Sequence, residues 1–142
     1  MNLLLRPAKP RDIDALVRIE AQSFAEPNWR AEDFSKYETV VAEADGEIAG
    51  FLVSRELFPG YGGEPAEREI LNIAVSASWR RKGIATRLLR RELKLGGVFF
   101  LEVRESNLAA QALYRKFGFV PIAKRPHYYE QPPETAIVMQ LK

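Results

Sequence analysis

The fold of this chain is decided by residues 72–87, which read N-I-A-V-S-A-S-W-R-R-K-G-I-A-T-R. The apolar residues 73–75 predict the end of a strand, and Gly83 predicts the start of a helix after a short basic loop. Such a junction directs several backbone N–H groups and the positive end of the helix dipole at one point, where the cations at residues 80–82 add full charges. The stretch therefore predicts a site for a polyphosphate.

The loop alone leaves two interpretations open, because a glycine after basic residues is also typical of simple helix capping. A nucleotide P-loop is excluded, since the G-x-x-x-x-G-K-[ST] spacing is absent and no Lys-Ser or Lys-Thr follows Gly83. A dinucleotide fingerprint is excluded as well, because it requires G-x-G-x-x-G near the start of a βαβ unit. The loop thus indicates phosphate binding without identifying the ligand.

Length and composition predict a single domain over residues 1–142. With 46% hydrophobic residues, the chain is large enough to bury roughly two-thirds of its unfolded surface. Cysteine is absent, which excludes disulfides, thiolate metal sites and a cysteine-linked acyl intermediate. No apolar run approaches the ~20 residues that span a bilayer, and no signal-peptide core is present, so we expect a cytoplasmic protein without membrane contact.

Charge is unevenly distributed along the chain, although the net charge is only +2. Residues 12–47 have a balance of −7 and residues 80–94 a balance of +6, so one segment suits a cation and the other an anion. This net charge is too small to argue for nucleic-acid or membrane binding, and we expect nucleic acid not to be a partner. The lone histidine, His127, has no Cys or paired acidic ligand at metal spacing, so we expect no metal site.

Periodicity and turn signals predict a strand, two helices, three strands, a helix, a strand, a helix and two final strands. This order indicates an α/β fold with a mixed, mostly antiparallel sheet of about seven strands and helices on both faces. Asp45-Gly46 predicts a tight hairpin turn. The apolar run at residues 98–103 is typical of a strand buried on both faces, and Asn107 is expected to cap the helix that follows.

One carboxylate, Glu102, lies inside the apolar run at residues 98–103. Burial there would penalise its charged form, which suits a proton acceptor, although a glutamate that faces solvent or pairs with an arginine such as Arg104 fits the same sequence. Glu69, near the start of the preceding strand, is a second candidate base. The hydroxyl of Tyr114 either reaches back to the sheet, where it could act as a proton donor, or lies at the rim of the core as part of an ordinary packed aromatic side chain.

Residues 101–119 read L-E-V-R-E-S-N-L-A-A-Q-A-L-Y-R-K-F-G-F. In the pattern L-E-V-R-x-S-N-x-x-A-x-x-L-Y-x-x-x-G-F they resemble the RimI type of acetyltransferase within the GNAT superfamily. Residues 80–85 are similar to the superfamily's acetyl-CoA signature Q/R-x-x-G-x-G/A, with alanine in the last position. N-I-A-V at residues 72–75 and R-P-H-Y-Y at residues 125–129 are similar to the family's preceding strand and final hairpin, so the likeness covers nearly the whole chain.

The resemblance implies a GNAT fold and an N-acetyltransferase that uses acetyl-CoA as cosubstrate and acts by direct attack in a ternary complex. In the RimI type the acceptor is the N-terminal alanine of a ribosomal protein. The resemblance also implies Glu102 as proton acceptor and Tyr114 as proton donor, and it places Tyr128 and Tyr129 beside the peptide groove, with hairpin packing as the alternative. The implied acetyl-CoA contacts are Ile73, Ala74, Val75, Arg80, Arg81, Lys82, Gly83, Ile84, Ala85, Thr86 and Asn107.

The acceptor stays open at the level of sequence. A small amine, a lysine side chain, a non-catalytic acetyl-CoA-binding module and a basic RNA-binding surface at residues 80–91 are alternatives. The acidic segment at residues 26–38 would suit a basic partner such as a ribosomal protein, and the loop at residues 25–30 is expected to border a substrate groove. The interval between Ala85 and Leu101 is shorter than usual in the family, which predicts a cofactor helix shortened by about one turn.

Overall fold

The computed structural model of the protein describes residues 1–24 and 29–142. Its main elements are β1 (Leu3–Pro7), α1 (Ile13–Ser23), α2 (Ala31–Lys36), β2 (Glu38–Ala44), β3 (Glu47–Phe58), β4 (Glu67–Val75), α3 (Ile84–Leu93), β5 (Val98–Arg104), α4 (Leu108–Lys116), β6 (Val120–Glu130) and β7 (Pro133–Leu141). This confirms the predicted order of elements. Residues 25–28, and with them most of the predicted substrate loop and the start of the acidic segment, lie outside the described residues.

The strands form a seven-stranded sheet in the order β1-β2-β3-β4-β5-β7-β6. β4 and β5 pair in parallel, whereas β1 with β2, β2 with β3, β5 with β7 and β6 with β7 pair antiparallel. The mixed, mostly antiparallel sheet predicted from the sequence is therefore confirmed. The chain divides into two compact units, one of residues 1–55 and 71–95 and the other of residues 56–70 and 96–142. The single domain over residues 1–142 stays a prediction.

The core of the first unit joins α1 and α2 to β2 and β3. Leu16, Ile19, Phe34, Val41 and Phe51 are all at most 2% exposed there. The rings of Phe34 and Phe51 meet edge to face with centroids 5.1 Å apart, a geometry worth about 0.5–1.5 kcal/mol beyond the area that the rings bury. This packing fixes the two helices against the strands that lead to the predicted cofactor segment.

The hairpin between β2 and β3 turns at Asp45 and Gly46, as predicted. Their φ angles of 50° and 86° lie in the left-handed region, which a two-residue turn of the type favoured between antiparallel strands requires. The carboxylate of Asp45 also accepts a hydrogen bond from the backbone N–H of Asn2 at 2.7 Å, so the turn holds the start of the chain.

The second unit is organised around β5, whose side chains alternate strictly. Phe99, Leu101 and Val103 are buried, while Phe100 and Glu102 are only half-buried. The prediction of a strand buried on both faces was therefore wrong, because an unbroken apolar run reports the composition of a strand and not which face is covered. Glu102 lies on the half-buried face.

The last hairpin of the second unit contrasts with this core. Every residue of β6 is exposed except Tyr129, which is half-buried. β6 is an edge strand of the sheet, and its pairing with β7 is irregular between Pro121 and Ala123 and again between Arg125 and Tyr129. Of the helices in the described residues, none is long and apolar enough to cross a bilayer.

Candidate active site

The predicted phosphate loop connects β4 to α3 in the first unit. Val75 ends β4, a 3-10 turn covers Ala77–Trp79, and α3 begins at Ile84. Arg81 and Gly83, with φ angles of 65° and 78°, turn the chain into the helix. Glycine is favoured at position 83, because an L side chain in this left-handed conformation is strained by roughly 1–2 kcal/mol.

The start of α3 presents a set of donors. Gly83 is the N-cap and has no side chain, so the first turn at residues 84–86 has no side-chain cap. Three exposed cations at residues 80–82 precede it. One of them, Arg80, also donates from Nε to the carbonyl of Val75 at 3.2 Å and so holds the loop to the end of the strand. Helix N–H groups beside several cations are the donors that a pyrophosphate requires.

The two faces of β4 separate the predicted cofactor residues. Ile73 and Val75 are half-buried, whereas Asn72 and Ala74 are buried. The side chain of Ala74 belongs to the core of the first unit, so only its backbone is left for the predicted contact. The side-chain amide of Asn72 donates to the buried carboxylate of Glu20 at 2.8 Å, which ties β4 to α1.

Glu102 lies in the middle of β5, in the second unit, with a side chain that is 13% exposed. Its Oε1 atom is 3.7 Å from a guanidinium nitrogen of Arg125, and its Oε2 atom is buried without a hydrogen-bond partner among the described residues. A buried polar atom without a partner is costly, and such atoms are concentrated where a function uses them. The expected alternative, a pair with an arginine, is formed by Arg125 and not by Arg104, because Arg104 is engaged elsewhere.

Two tyrosines of β6 surround this carboxylate. Hydrogen bonding to Glu102 is the largest cause that raises the pKa of Tyr128 to about 12, followed by burial and by the charges of Glu102 and Glu69. Burial, followed by the charge of Glu102, raises the pKa of Tyr129. The two rings meet edge to face at 5.1 Å. Both hydroxyls therefore keep their protons at neutral pH, and that of Tyr128 donates to Glu102.

Tyr114 is buried in the same unit, on α4. Its ring packs against Phe119 with centroids 5.8 Å apart, and burial raises its pKa to about 12. Asn107 caps this helix as predicted, since its side-chain oxygen accepts from the backbone N–H of Ala110 at 3.1 Å. An electrostatic interaction with Tyr114, the last of its causes, also raises the pKa of Tyr129.

The second candidate base, Glu69, lies on β4 opposite Phe100 of β5. It is half-buried, it has an interaction partner, and its charge contributes to the raised pKa of Tyr128. Both carboxylates thus act on the same tyrosine, but only Glu102 accepts a hydrogen bond from its hydroxyl. Within residues 1–24 and 29–142, no three His, Cys, Asp or Glu side chains are grouped so that they could hold a metal ion.

Comparison with known proteins identifies the family. The model of the acetyltransferase (GNAT) family matches residues 8–119. The chain belongs to this family. It is therefore an N-acetyltransferase, as the two motifs predicted.

Individual relatives and solved structures show which members of the family this chain is similar to. The [ribosomal protein bS18]-alanine N-acetyltransferase of Salmonella typhimurium is 34% identical, over 92% of this chain and 90% of the relative. The crystal structure of the ribosomal-protein-S18-alanine N-acetyltransferase from Escherichia coli is 29% identical, with a TM-score of 0.83 over 99% of this chain and 93% of that one. Arabidopsis thaliana NAA60 in complex with acetyl-CoA, at 20% identity, shares the fold with a TM-score of 0.84 over 99% of both chains. The predicted resemblance to the RimI type is confirmed.

The sequence did not identify Arg104 of this GNAT chain as part of the site. The guanidinium donates to the carbonyls of Pro132 and Gln131 at 3.0 and 2.9 Å and to Glu134 at 3.2 Å. It also lies 4.2 Å from the centre of the Tyr129 ring. All these partners are 25–30 residues away in the sequence, so no local signal predicts them.

Gly50 of β3 was missed as well. A Cβ atom at this position would lie 2.8 Å from the carbonyl oxygen of Ala74 and 3.4 Å from atoms of Val75 and Ile84. Any larger residue would therefore push against the end of β4 and the start of α3, which are the predicted cofactor segments. An isolated glycine inside a strand was a visible signal of such an approach, although it did not reveal the partner.

Proposed function

We propose that this GNAT chain transfers the acetyl group of acetyl-CoA to the N-terminal α-amino group of a protein, by direct attack in a ternary complex. The observation that carries the proposal is the environment of Glu102, which has one buried oxygen without a partner beside two protonated tyrosines. The relatives that act on the N-terminal alanine of ribosomal protein bS18 support a protein N-terminus, starting with alanine, as the acceptor.

The acidity of the acceptor fits this assignment. An α-amino group has a pKa of about 7.7–8.0, against about 10.4 for lysine, so roughly a tenth of N-termini but only about one lysine in 2,500 are neutral at pH 7. Glu102, directly or through a water molecule, accepts the proton that the amine loses as its nitrogen bonds to the acetyl carbon. A weakly basic carboxylate is sufficient for this step, because part of the acceptor amine is already neutral.

The proposal assigns Tyr114 to the leaving group. As the carbon–sulfur bond breaks, the phenol donates its proton to the thiolate sulfur. Tyr114 then regains a proton from solvent and Glu102 releases to solvent the proton that it took from the amine, so the net change is one proton moved from the amine to the sulfur. Because the pKa of Tyr114 is raised to about 12 and that of a thiol is about 8.5, the transfer is unfavourable for isolated groups. We therefore assign Tyr114 a smaller share of the rate than Glu102.

The donor set of the first unit fits coenzyme A. The exposed cations and the uncapped first turn of α3 would hold the pyrophosphate, and the backbone of residues 73–75 would pair with the pantetheine arm. Asn107, which caps α4, is the remaining cofactor contact of the proposal. The acetyl-CoA complex of a protein with the same fold, Arabidopsis NAA60, supports this choice of cosubstrate.

A basic protein partner is part of the proposal and rests on the acidic balance of residues 12–47. Within that segment Asp33 is already used locally, since it caps α2 through the backbone N–H of Arg30 at 2.8 Å and pairs with Lys36 at 3.5 Å. Asp12 and Glu43 are engaged by Arg6, Glu20 by Asn72 and Asp45 by Asn2. The exposed Asp14 and Glu32 are the carboxylates that we expect to attract a cationic tail. A ribosomal-protein acceptor would place the enzyme in the cytoplasm.

The test uses one set of acceptors and labelled acetyl-CoA. It compares an alanine-starting peptide that contains an internal lysine with the same peptide blocked at its N-terminus, and with a polyamine. We expect label on the free peptide, located at its first residue by fragmentation, and none on the blocked peptide. Label on the lysine of the blocked peptide, or on the polyamine alone, would replace the proposed acceptor; cofactor binding without transfer to any amine would make the chain a binding module.

A further inference from the structure

The feature that carries a further inference is the guanidinium of Arg104, at the end of β5. Both of its terminal nitrogens donate to main-chain carbonyls of the turn between β6 and β7, at 3.0 Å to Pro132 and 2.9 Å to Gln131. One of them also meets Glu134 at 3.2 Å, and the flat face of the group covers the ring of Tyr129 at 4.2 Å. The planar fork of arginine fits such a combination of paired donors and stacking, and lysine does not.

This guanidinium and the candidate base share one face of β5. Side chains two residues apart in a strand point to the same side, so Arg104 and Glu102 are neighbours on this face. The charges of both residues act on the Tyr129 hydroxyl, Glu102 to raise its pKa and Arg104 to lower it. The Arg104 guanidinium lies against the Tyr129 ring. Arg125 links Glu102 to the tyrosine pair, because its guanidinium is 3.7 Å from Oε1 of Glu102 and 5.7 Å from the centre of the Tyr128 ring.

The β6 backbone gives this part of the hairpin little support of its own. Its register with β7 is interrupted between Arg125 and Tyr129, and His127 within that interval has a φ angle of 57°. Beyond the interruption only two pairs of residues remain before the turn, Tyr129 with Glu134 and Glu130 with Pro133. An exposed edge strand with so short a ladder needs another anchor to keep its side chains in place.

Glu134 extends the anchor to α4. Its second oxygen accepts the backbone N–H of Ser106 at 2.6 Å, just before the Asn107 cap of that helix. Hydrogen bonds from Ser106 and then from Arg104 hold the pKa of Glu134 below its usual value. The Arg104–Glu134 pair thus joins the end of β5, the start of α4 and the final turn, which are the segments that carry the base, Tyr114 and the tyrosine pair.

We propose that Arg104 is a positioning residue of the acceptor side: it fastens the β6–β7 turn to the end of β5 and holds Tyr129, and through it Tyr128, beside Glu102. Arg104 acts through these tyrosines and does not take part in proton transfer. The proposal rests on the proposed function insofar as the tyrosines contact the acceptor.

The first experiment measures steady-state kinetics of Arg104→Met and Arg104→Lys with the alanine-starting peptide. Methionine keeps the length of the side chain without the charge and the fork, whereas lysine keeps the charge alone. We expect both variants to raise the KM for the peptide about tenfold, the equivalent of about 1.4 kcal/mol, with the KM for acetyl-CoA within twofold of the parent value.

Lys124→Met is the matched control, because this exposed cation of β6 pairs with Glu105 at 2.9 Å, and we expect it to change neither constant.

The second experiment needs no acceptor, so its result is independent of the proposed function. Hydrogen exchange of the free protein should be faster over residues 126–134 in Arg104→Met and unchanged over residues 84–93. Unchanged exchange over residues 126–134 would overturn the positioning role even if the enzyme acetylates N-termini. Parent-like kinetics in Arg104→Lys would also overturn the positioning role, because they would show that the positive charge alone is sufficient. An equal rise in the KM for the peptide and the KM for acetyl-CoA would overturn it as well, because it would show that Arg104 only supports the fold. If the parent protein acetylates no peptide, but exchange over residues 126–134 is still faster in Arg104→Met, the proposed function is refuted and the positioning role of Arg104 is not.

Discussion

The two units carry their candidate site residues in different ways. In the first unit, the predicted cofactor contacts are nearly continuous in sequence, residues 73–75 and 80–86, and they consist of backbone groups and exposed cations. In the second unit, Glu102 comes from β5, Tyr114 from α4 and Tyr129 from β6, and each is buried or half-buried. A polyphosphate is bound by many weak donors at once, whereas a proton is moved by one atom at one position. We therefore expect the first set to tolerate single changes and the second set not to.

Glu102→Gln is the change with the largest expected effect. Glutamine keeps the shape of the side chain but offers an NH₂ group where the carboxylate accepts a proton, so kcat should fall by about 10²–10⁴-fold. Binding of acetyl-CoA, measured by calorimetry, should stay unchanged. Glu105→Gln is the control, an exposed carboxylate three residues away that pairs with Lys124. A kcat within threefold of the parent value would remove Glu102 as the base, and a large loss in Glu69→Gln would then assign that role to Glu69.

Tyr114→Phe tests the other member of the proton-transfer pair. The variant removes one oxygen and keeps the ring that packs on Phe119, so the fold should be retained. Because a thiolate with a conjugate-acid pKa of about 8.5 departs tolerably without a donor, we expect kcat to fall only about tenfold. Tyr61→Phe, at an exposed position of the same unit, should have no effect on kcat. An equal kcat in Tyr114→Phe and the parent would leave Tyr114 as a core aromatic.

In both units, the sequence predicts local features and misses the contacts between distant segments. The Asp45-Gly46 turn, the Asn107 cap and the Gly83 helix start depend on backbone conformations of neighbouring residues, so local residue types sufficed to predict them. The clamp of Arg104 and the contact of Gly50 with Ala74 join segments that are distant in sequence, and no local pattern encodes which segments will meet. For the same reason, the apolar run of β5 predicted a strand but not its half-buried face.

Gly50→Ala tests whether the predicted cofactor segments tolerate a larger side chain where their backbone is closely packed. The new methyl group would lie 2.8 Å from the carbonyl oxygen of Ala74, and such overpacking costs about 1–3 kcal/mol unless the end of β4 moves away. We expect a lower unfolding midpoint and a KM for acetyl-CoA raised about threefold to fivefold. Gly62→Ala, whose Cβ would meet open space, should leave that KM unchanged. An unaltered midpoint in Gly50→Ala would mean that β3 and β4 separate without cost.

Lys82→Gln has the smallest expected effect. Lys82 is exposed, so its attraction to a phosphate is weakened by water and salt, and exposed charge pairs contribute only about 0.2–1 kcal/mol. We expect the Kd for acetyl-CoA to rise about twofold to threefold at low ionic strength. In 1 M salt, where the Debye length falls to about 3 Å, the difference should disappear. Lys94→Gln, an exposed cation after the last turn of α3, is the matched control and should change the Kd at neither salt concentration. If Lys82→Gln weakened acetyl-CoA binding by the factor expected for kcat in Glu102→Gln, and salt did not change that factor, cofactor binding would also depend on single atoms. The contrast between the two units would then fail.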